Sequence, residues 1–242
     1  RFGLFGHPLE HSYSKKFFLE KFQREGRSDY AYENYDTENI YDLKQIVKDN
    51  PDLVGLNVTI PFKQDIIPML DNLDDISQKI GAVNTIRIHR QDNGKFELHG
   101  FNTDAWGFEL AIRPILRPHH RRALILGTGG SAKAVSFVFR KLNIEHFFVT
   151  REESRFHYCY ADLNANTMKA FQVIVNTTPL GMYPNVSECP NIPYEFLTHK
   201  NLCFDLIYNA AQTKLLEKSK EAGAFIHNGF RMLRLQAEKS WA

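Results

Sequence analysis

The sequence predicts an α/β fold in two domains, and three features carry that expectation. Short apolar strands alternate with helical stretches along all 242 residues, the pattern of sheets covered by helices. One dense apolar strand, Ala123 to Leu126, runs straight into a glycine-rich turn and then a helical stretch. The pattern also restarts near Asn102, where a polar Asn-Thr-Asp run separates two sets of elements. We therefore expect one α/β domain over 1–103 and a second over 104–228, with the helical tail 229–242 returning to the first.

The elements follow in order. Residues 2–5 read as a short buried strand. Residues 14–22 carry aromatic and aliphatic side chains at helical spacing. Strand 30–35, helix 41–47 and strand 53–58 come next; the last ends in Thr59, Ile60 and Pro61 before an expected helix over 62–70. Runs 82–89 and 96–99 flank Asp92-Asn93-Gly94, a hairpin signal. In the second half a helix is expected over 104–116, closed by Pro118. Strand 123–126, helix 131–142 and strands 147–150, 173–175 and 203–206 follow, with a final helix from Phe230 to Trp241. Strands alternating with helices argue for parallel sheets.

Composition excludes several classes. Hydrophobic residues make up 43% and charged residues 24%, and the net charge of +2 is mixed along the chain. There is no basic stripe for a nucleic acid backbone. No apolar run approaches the roughly 20 residues that span a bilayer, and no leader is legible at Arg1. Cys159, Cys189 and Cys203 lack metal-ligand spacing, which fits free thiols in a reducing compartment and no bound metal. A cytoplasmic protein without nucleic acid or membrane partners is expected.

The turn reads Gly127-Thr128-Gly129-Gly130-Ser131-Ala132. Its glycines permit a tight turn and a close approach of backbone to a pyrophosphate. The helix that follows offers N–H groups and the positive end of its dipole. This is the signature of a Rossmann-like dinucleotide site, with strand and helix both in place. About 20 residues on, NAD enzymes carry an acid for the ribose hydroxyls. Here the strand ends in Thr150-Arg151, followed by Arg155. A guanidinium can pair with a 2′-phosphate, so NADP is expected over NAD, although Glu152 and Glu153 stand beside the arginines.

The first half offers polar residues at strand ends. Ser12 and Ser14 follow the first strand, where they can cap a helix or donate to a carboxylate. Lys63 follows Asn57-Val58-Thr59-Ile60-Pro61-Phe62 at an expected helix start, a poor place for a cation, which suits either function or a surface lysine. Asn84 lies inside the apolar run Gly81-Ala82-Val83-Asn84-Thr85, and a buried amide needs partners. Asp104 ends Gly100-Phe101-Asn102-Thr103-Asp104, as a helix cap or a functional acid.

Together these blocks resemble the shikimate dehydrogenase family over nearly the whole chain. The resemblance also includes Gly6-His7-Pro8 with His11-Ser12-x-Ser14, Asn176-Thr-Thr-Pro-Leu-Gly-Met182, Asp205-x-x-Tyr208 and Met232-Leu-x-x-Gln236-Ala237. It implies reversible, NADP-dependent reduction of 3-dehydroshikimate to shikimate in the chorismate route to aromatic amino acids, by a monomer or homodimer. By position it implies that Ser12, Ser14 and Tyr208 hold the substrate carboxylate. Thr59, Asn84, Asp104 and Gln236 would hold ring hydroxyls, and Lys63 and Asp104 would flank the reacting carbon as the catalytic pair. Gly127, Thr128, Gly129, Gly130 and Ser131 would cradle the pyrophosphate, and Thr150, Arg151 and Arg155 the adenosine phosphate. Met182, Leu206 and Gly229 would lie along the nicotinamide, and Asp75 near the cofactor. The chain departs from the family pattern at Lys15, usually proline, at Ala210, where proline usually follows Asn209, and in a short 155–171 segment. A quinate/shikimate dehydrogenase that uses NAD, and a non-catalytic shikimate-sensing relative, are the alternatives.

Overall fold

The computed structural model describes residues 1–152 and 155–242. Two compact units result: Arg1–Thr103 with Ser240–Ala242, and Asp104–Lys239.

The first unit is built on a six-stranded sheet of order β2-β1-β3-β5-β6-β4. Its strands are β1 Phe2–Gly6, β2 Tyr32–Asp36, β3 Gly55–Val58, β4 Asn72–Leu73, β5 Thr85–Arg90 and β6 Phe96–Phe101; its helices are α1 Ser14–Arg24, α2 Asp42–Asp49 and α3 Asp75–Ile80. Strand β1 is parallel to both β2 and β3, and is buried from Gly3 to Gly6 as a central strand should be. The expected hairpin forms between β5 and β6, with Gly94 in the left-handed region at φ +78°. The first strand of that hairpin runs antiparallel to β3, so this sheet is mixed. Phe5, Leu43, Val47, Leu56, Val58, Ile86 and Leu98 form the core. On the other side Trp241 packs its ring 5.2 Å from Phe2, 5.3 Å from Phe22 and 5.8 Å from Tyr30.

The second unit carries a fully parallel six-stranded sheet of order β12-β11-β10-β7-β8-β9. Its strands are β7 Arg122–Leu126, β8 Glu145–Thr150, β9 Tyr158–Cys159, β10 Val173–Asn176, β11 Leu202–Asp205 and β12 Phe225–His227. Its helices are α4 Asp104–Ile112, α5 Gly130–Lys141, α6 Ala165–Ala170, α7 Lys214–Glu221 and α8 Phe230–Trp241. The central strands β10 and β11 are buried at every residue, which explains their unbroken apolar runs.

Two expectations need correction. Residues 62–70 form turns and a short 3-10 helix, Ile67–Met69, instead of an α-helix. Pro68 has no N–H to give to Gln64, and Ile67 N–H bonds that carbonyl at 3.2 Å instead. Helix α4 stops at Ile112 because Pro114 breaks the ladder and leaves a 3-10 turn, Arg113–Ile115. Of the tail 229–242, expected to return to the first unit, Ser240–Ala242 group with it. Helix α8 is held to α4 by a close crossing: a Cβ on Gly107 would lie 2.8 Å from Met232 O and 2.9 Å from Gln236 N.

Candidate active site

In the first unit the strand pairing gathers the polar residues at one sheet edge. Strands β1, β2 and β3 end there together, since Gly6 pairs with Asp36 and Phe5 with Val58. Antiparallel β5 begins at this edge, with Thr85 opposite Asn57, and β6 ends there, with Phe101 opposite Thr85. Ser12, Ser14, Thr59, Lys63, Asn84, Asn102 and Thr103 therefore follow or precede strands at the same edge. Asp75 opens α3 after β4, whose end is also here, and is exposed in the helix's first turn.

Neither serine caps α1 in the usual way. The cap position is Tyr13, whose side chain makes no capping bond, and Ser12 Oγ accepts from Ser14 N–H at 3.3 Å. Both serines are half-buried. Asp36 steadies their loop, accepting from Leu9 N–H at 3.0 Å with His7 Nδ1 2.7 Å away. Those two bonds, the Leu9 amide first, hold its carboxyl below the usual carboxylate range.

A hydrogen-bonded chain crosses the edge. Ser14 is hydrogen-bonded to the Tyr32 hydroxyl. Tyr32 donates to Asn57 Oδ1 at 2.8 Å, Asn57 Nδ2 donates to Thr85 Oγ1 at 3.4 Å, and Thr85 donates to Asn84 Oδ1 at 3.1 Å. Asn84 Nδ2 donates to Thr103 Oγ1 at 2.9 Å, and Thr103 N–H returns to Asn84 Oδ1 at 2.8 Å. Burial keeps the Tyr32 hydroxyl protonated well above its ordinary range. Tyr32 and Asn57 were not singled out by the sequence, because their contact spans β1.

Lys63 is half-buried in the turn after β3, and its carbonyl accepts from Val83 N–H at 2.7 Å. It does not begin a helix, so the dipole conflict read from the sequence does not arise. Lys15, the departure beside Ser14, is tied to Glu33 at 2.6 Å.

The second unit holds the other candidates. Asp104 is the first residue of α4 and is 4% exposed. Gly107, one turn on, lies against Gln236 on α8. The glycine turn matches its expected form. Gly127 is at φ +100°, where L side chains are strained, and a Cβ there would lie 3.0 Å from Thr177 Oγ1. A Cβ on Gly129 would meet nothing within 4 Å, so the backbone is open to an approaching group. Gly129 stands at the start of α5, no side chain caps that end, and Gly130 and Ser131 form its first turn. Free N–H groups at a helix start of this form can receive a phosphate anion. Thr150 ends β8 and donates to Glu152 O at 2.6 Å; Arg151 and Arg155 are exposed, and Glu153 lies outside the described residues.

Met182, Leu206 and Tyr208 lie on the loops after β10 and β11. Leu206 is packed against Gly229: any Cβ on Gly229 would collide with the Leu206 carbonyl, and Gly229 N–H donates to Ile207 O at 3.0 Å. Behind these loops Asp205 is fully buried, and burial pushes its carboxyl up to about 6 against the opposing hydrogen bonds of Thr213, Ile207 and Asn176. Among the described residues no helix is long and apolar enough to cross a membrane.

Residues 4–86 match the family described as the shikimate dehydrogenase substrate binding domain. A shikimate dehydrogenase (NADP(+)) of Methanococcus vannielii is 34% identical, covering 99% of this chain and 89% of that protein. The crystal structure of shikimate dehydrogenase from Aquifex aeolicus superposes with a TM-score of 0.85 at 30% identity, over 99% of this chain and 90% of that one. Shikimate 5-dehydrogenase from Thermus thermophilus, in complex with NADP(H) and shikimate, gives 0.84 at 30% identity, over 100% and 91%.

Proposed function

Because this chain belongs to the shikimate dehydrogenase family, we propose that it catalyses the reversible, NADP-dependent reduction of 3-dehydroshikimate to shikimate in aromatic amino acid biosynthesis. The observation that carries the site assignment is the sheet edge where Ser12, Ser14, Thr59, Lys63 and Asn84 come together.

At that edge Ser12 and Ser14 hold the substrate carboxylate, with Tyr208 as a further donor. Thr59, Asn84, Asp104 and Gln236 hold ring hydroxyls. The glycine turn 127–131 holds the dinucleotide's pyrophosphate, and Thr150, Arg151 and Arg155 its adenosine phosphate. Met182, Leu206 and Gly229 accompany the nicotinamide; Asp75 is the cofactor assignment with the least physical support, being an ordinary first-turn helix residue.

The bound dinucleotide supplies the hydride. As the ketone is reduced, negative charge grows on its oxygen. The Lys63 ammonium stabilises that charge and gives up a proton to it; in the oxidation direction the Lys63 amine takes the proton from the alcohol. Asp104 accepts from a substrate hydroxyl and fixes the ring's orientation.

Initial rates with shikimate and NADP⁺, followed by NADPH absorbance, test the proposal. Turnover with NADP⁺ well above that with NAD⁺ is expected. Preference for NAD⁺, or turnover of quinate alone, would replace this reading.

A further inference from the structure

Two parallel strands end side by side in the second unit, and their last residues form a buried polar pair. Asn176 of β10 pairs with Asp205 of β11, both 0% exposed. Asn176 Nδ2 donates to Asp205 Oδ1 at 3.0 Å. Each side chain then reaches into the loop that follows a strand. Asn176 Oδ1 accepts from Thr178 N–H at 3.0 Å and from Thr178 Oγ1 at 2.7 Å. Asp205 Oδ1 accepts from Ile207 N–H at 3.0 Å, and Oδ2 accepts from Thr213 Oγ1 at 2.6 Å. Thr213 in turn caps α7, taking the Leu216 N–H at 3.4 Å. One carboxylate thus fastens both ends of the 206–213 loop and, through Asn176, the start of the 177–182 loop.

Burying a carboxylate completely, as at Asp205, is costly, and hydrophobic residues of similar volume would pack there without that penalty. Its partners are all loop-fixing groups. We propose that Asp205 is a positioning residue: it sets the 177–182 and 206–213 loops so that Met182, Leu206 and Tyr208 stand correctly for the nicotinamide half of the dinucleotide and for the substrate. This rests on the function proposed above. The pyrophosphate turn 127–131 follows a different strand, β7; it lies beside Thr177 and Thr178 at Gly127, while the groups that hold Asp205 are Asn176, Ile207 and Thr213.

The test uses the full chain with Asp205→Ala and Asp205→Asn. Adenosine 2′,5′-bisphosphate probes the adenosine half alone, by calorimetry. Hydrogen–deuterium exchange follows the loops without relying on activity. In Asp205→Ala, kcat should fall by about tenfold or more while the bisphosphate Kd stays within about twofold. Exchange should rise in 177–182 and 206–213 and not at 127–131. Asp205→Asn should recover kcat to within about threefold, because its carbonyl still accepts from Asn176 and Ile207 and its amide can donate to Thr213 Oγ1. If Asp205→Ala fails to fold, Thr213→Val serves in its place, with the same split expected at smaller size. A folded variant with wild-type kcat, parallel loss of bisphosphate binding, uniform exchange, or no recovery in Asp205→Asn would overturn the role. An inactive wild-type protein would instead overturn the proposed function, and the exchange pattern would still decide whether Asp205 sets the loops.

Discussion

Asn84 and Thr103 are bonded reciprocally: the Thr103 amide donates to Asn84 Oδ1 at 2.8 Å, and the Asn84 amide donates to the Thr103 hydroxyl at 2.9 Å. The pair ties the start of β5 to the segment leaving β6. Asn84→Ala leaves a buried Thr103 N–H without that acceptor. A loss of about 1–3 kcal/mol in stability is expected, together with a raised KM for shikimate. Urea unfolding and steady-state rates check both, and an unchanged midpoint would show that solvent replaces the lost bonds.

Lys63→Ala should abolish turnover while leaving the Kd for shikimate within about tenfold, because its interaction grows in the transition state. A variant that keeps more than about a tenth of the wild-type kcat would remove Lys63 from the proton transfer.

Ser12→Ala with Ser14→Ala should raise the KM for shikimate strongly, since each hydrogen bond to a charged group is worth roughly 1.5–3 kcal/mol. The KM for NADP⁺ should barely move. The helix itself loses little, because α1 has no side-chain cap to begin with. Circular dichroism verifies folding; shikimate binding at the wild-type level would place the carboxylate elsewhere.

How much of this was legible in the sequence depends on range. The turn at 127–131 was legible because a strand buried on both faces, two glycines and a helix are contiguous. Residues 62–70 misled because Phe62, Ile66 and Leu70 keep helical spacing while Pro68 removes a donor the helix needs. Helix α7 went unread because its eight residues bury only Leu215, Leu216 and Ser219 beneath a charged surface. The partners of Ser14 were hidden for a different reason. Tyr32 and Asn57 meet across β1, and only the strand order β2-β1-β3 brings them together. The same holds for Asn176 and Asp205: both were quoted within motifs, but their pairing follows from the β10–β11 register.

Arg151→Ala should weaken NADP⁺ much more than NAD⁺, by roughly 1.5–3 kcal/mol if one set of charged hydrogen bonds to the 2′-phosphate is lost. Arg151 is exposed just past the end of β8. Equal losses for both dinucleotides would show that it does not read that phosphate.

Asp205 also makes stability depend on pH. Its carboxyl is raised to about 6 in the fold, against about 3.9 for an unfolded aspartate. Between those values the folded chain binds more protons than the unfolded one, so the slope of stability against pH is negative. The contribution is complete below about pH 4 and is lost as the pH rises through about 6. Two groups that feel its charge stay protonated in that window: burial raises the Cys203 thiol to about 12 and lifts the Tyr194 hydroxyl further above its ordinary range. Asp205→Asn cannot ionise and resembles the protonated acid in shape. Relative to the wild type, it should therefore gain on the order of 1–3 kcal/mol between pH of about 4.5 and about 7.5. Urea unfolding of both proteins across that range measures the difference. Parallel stability curves would mean that Asp205 titrates alike in the folded and unfolded chains, and that its hydrogen bonds with Thr213, Ile207 and Asn176 fully offset its burial.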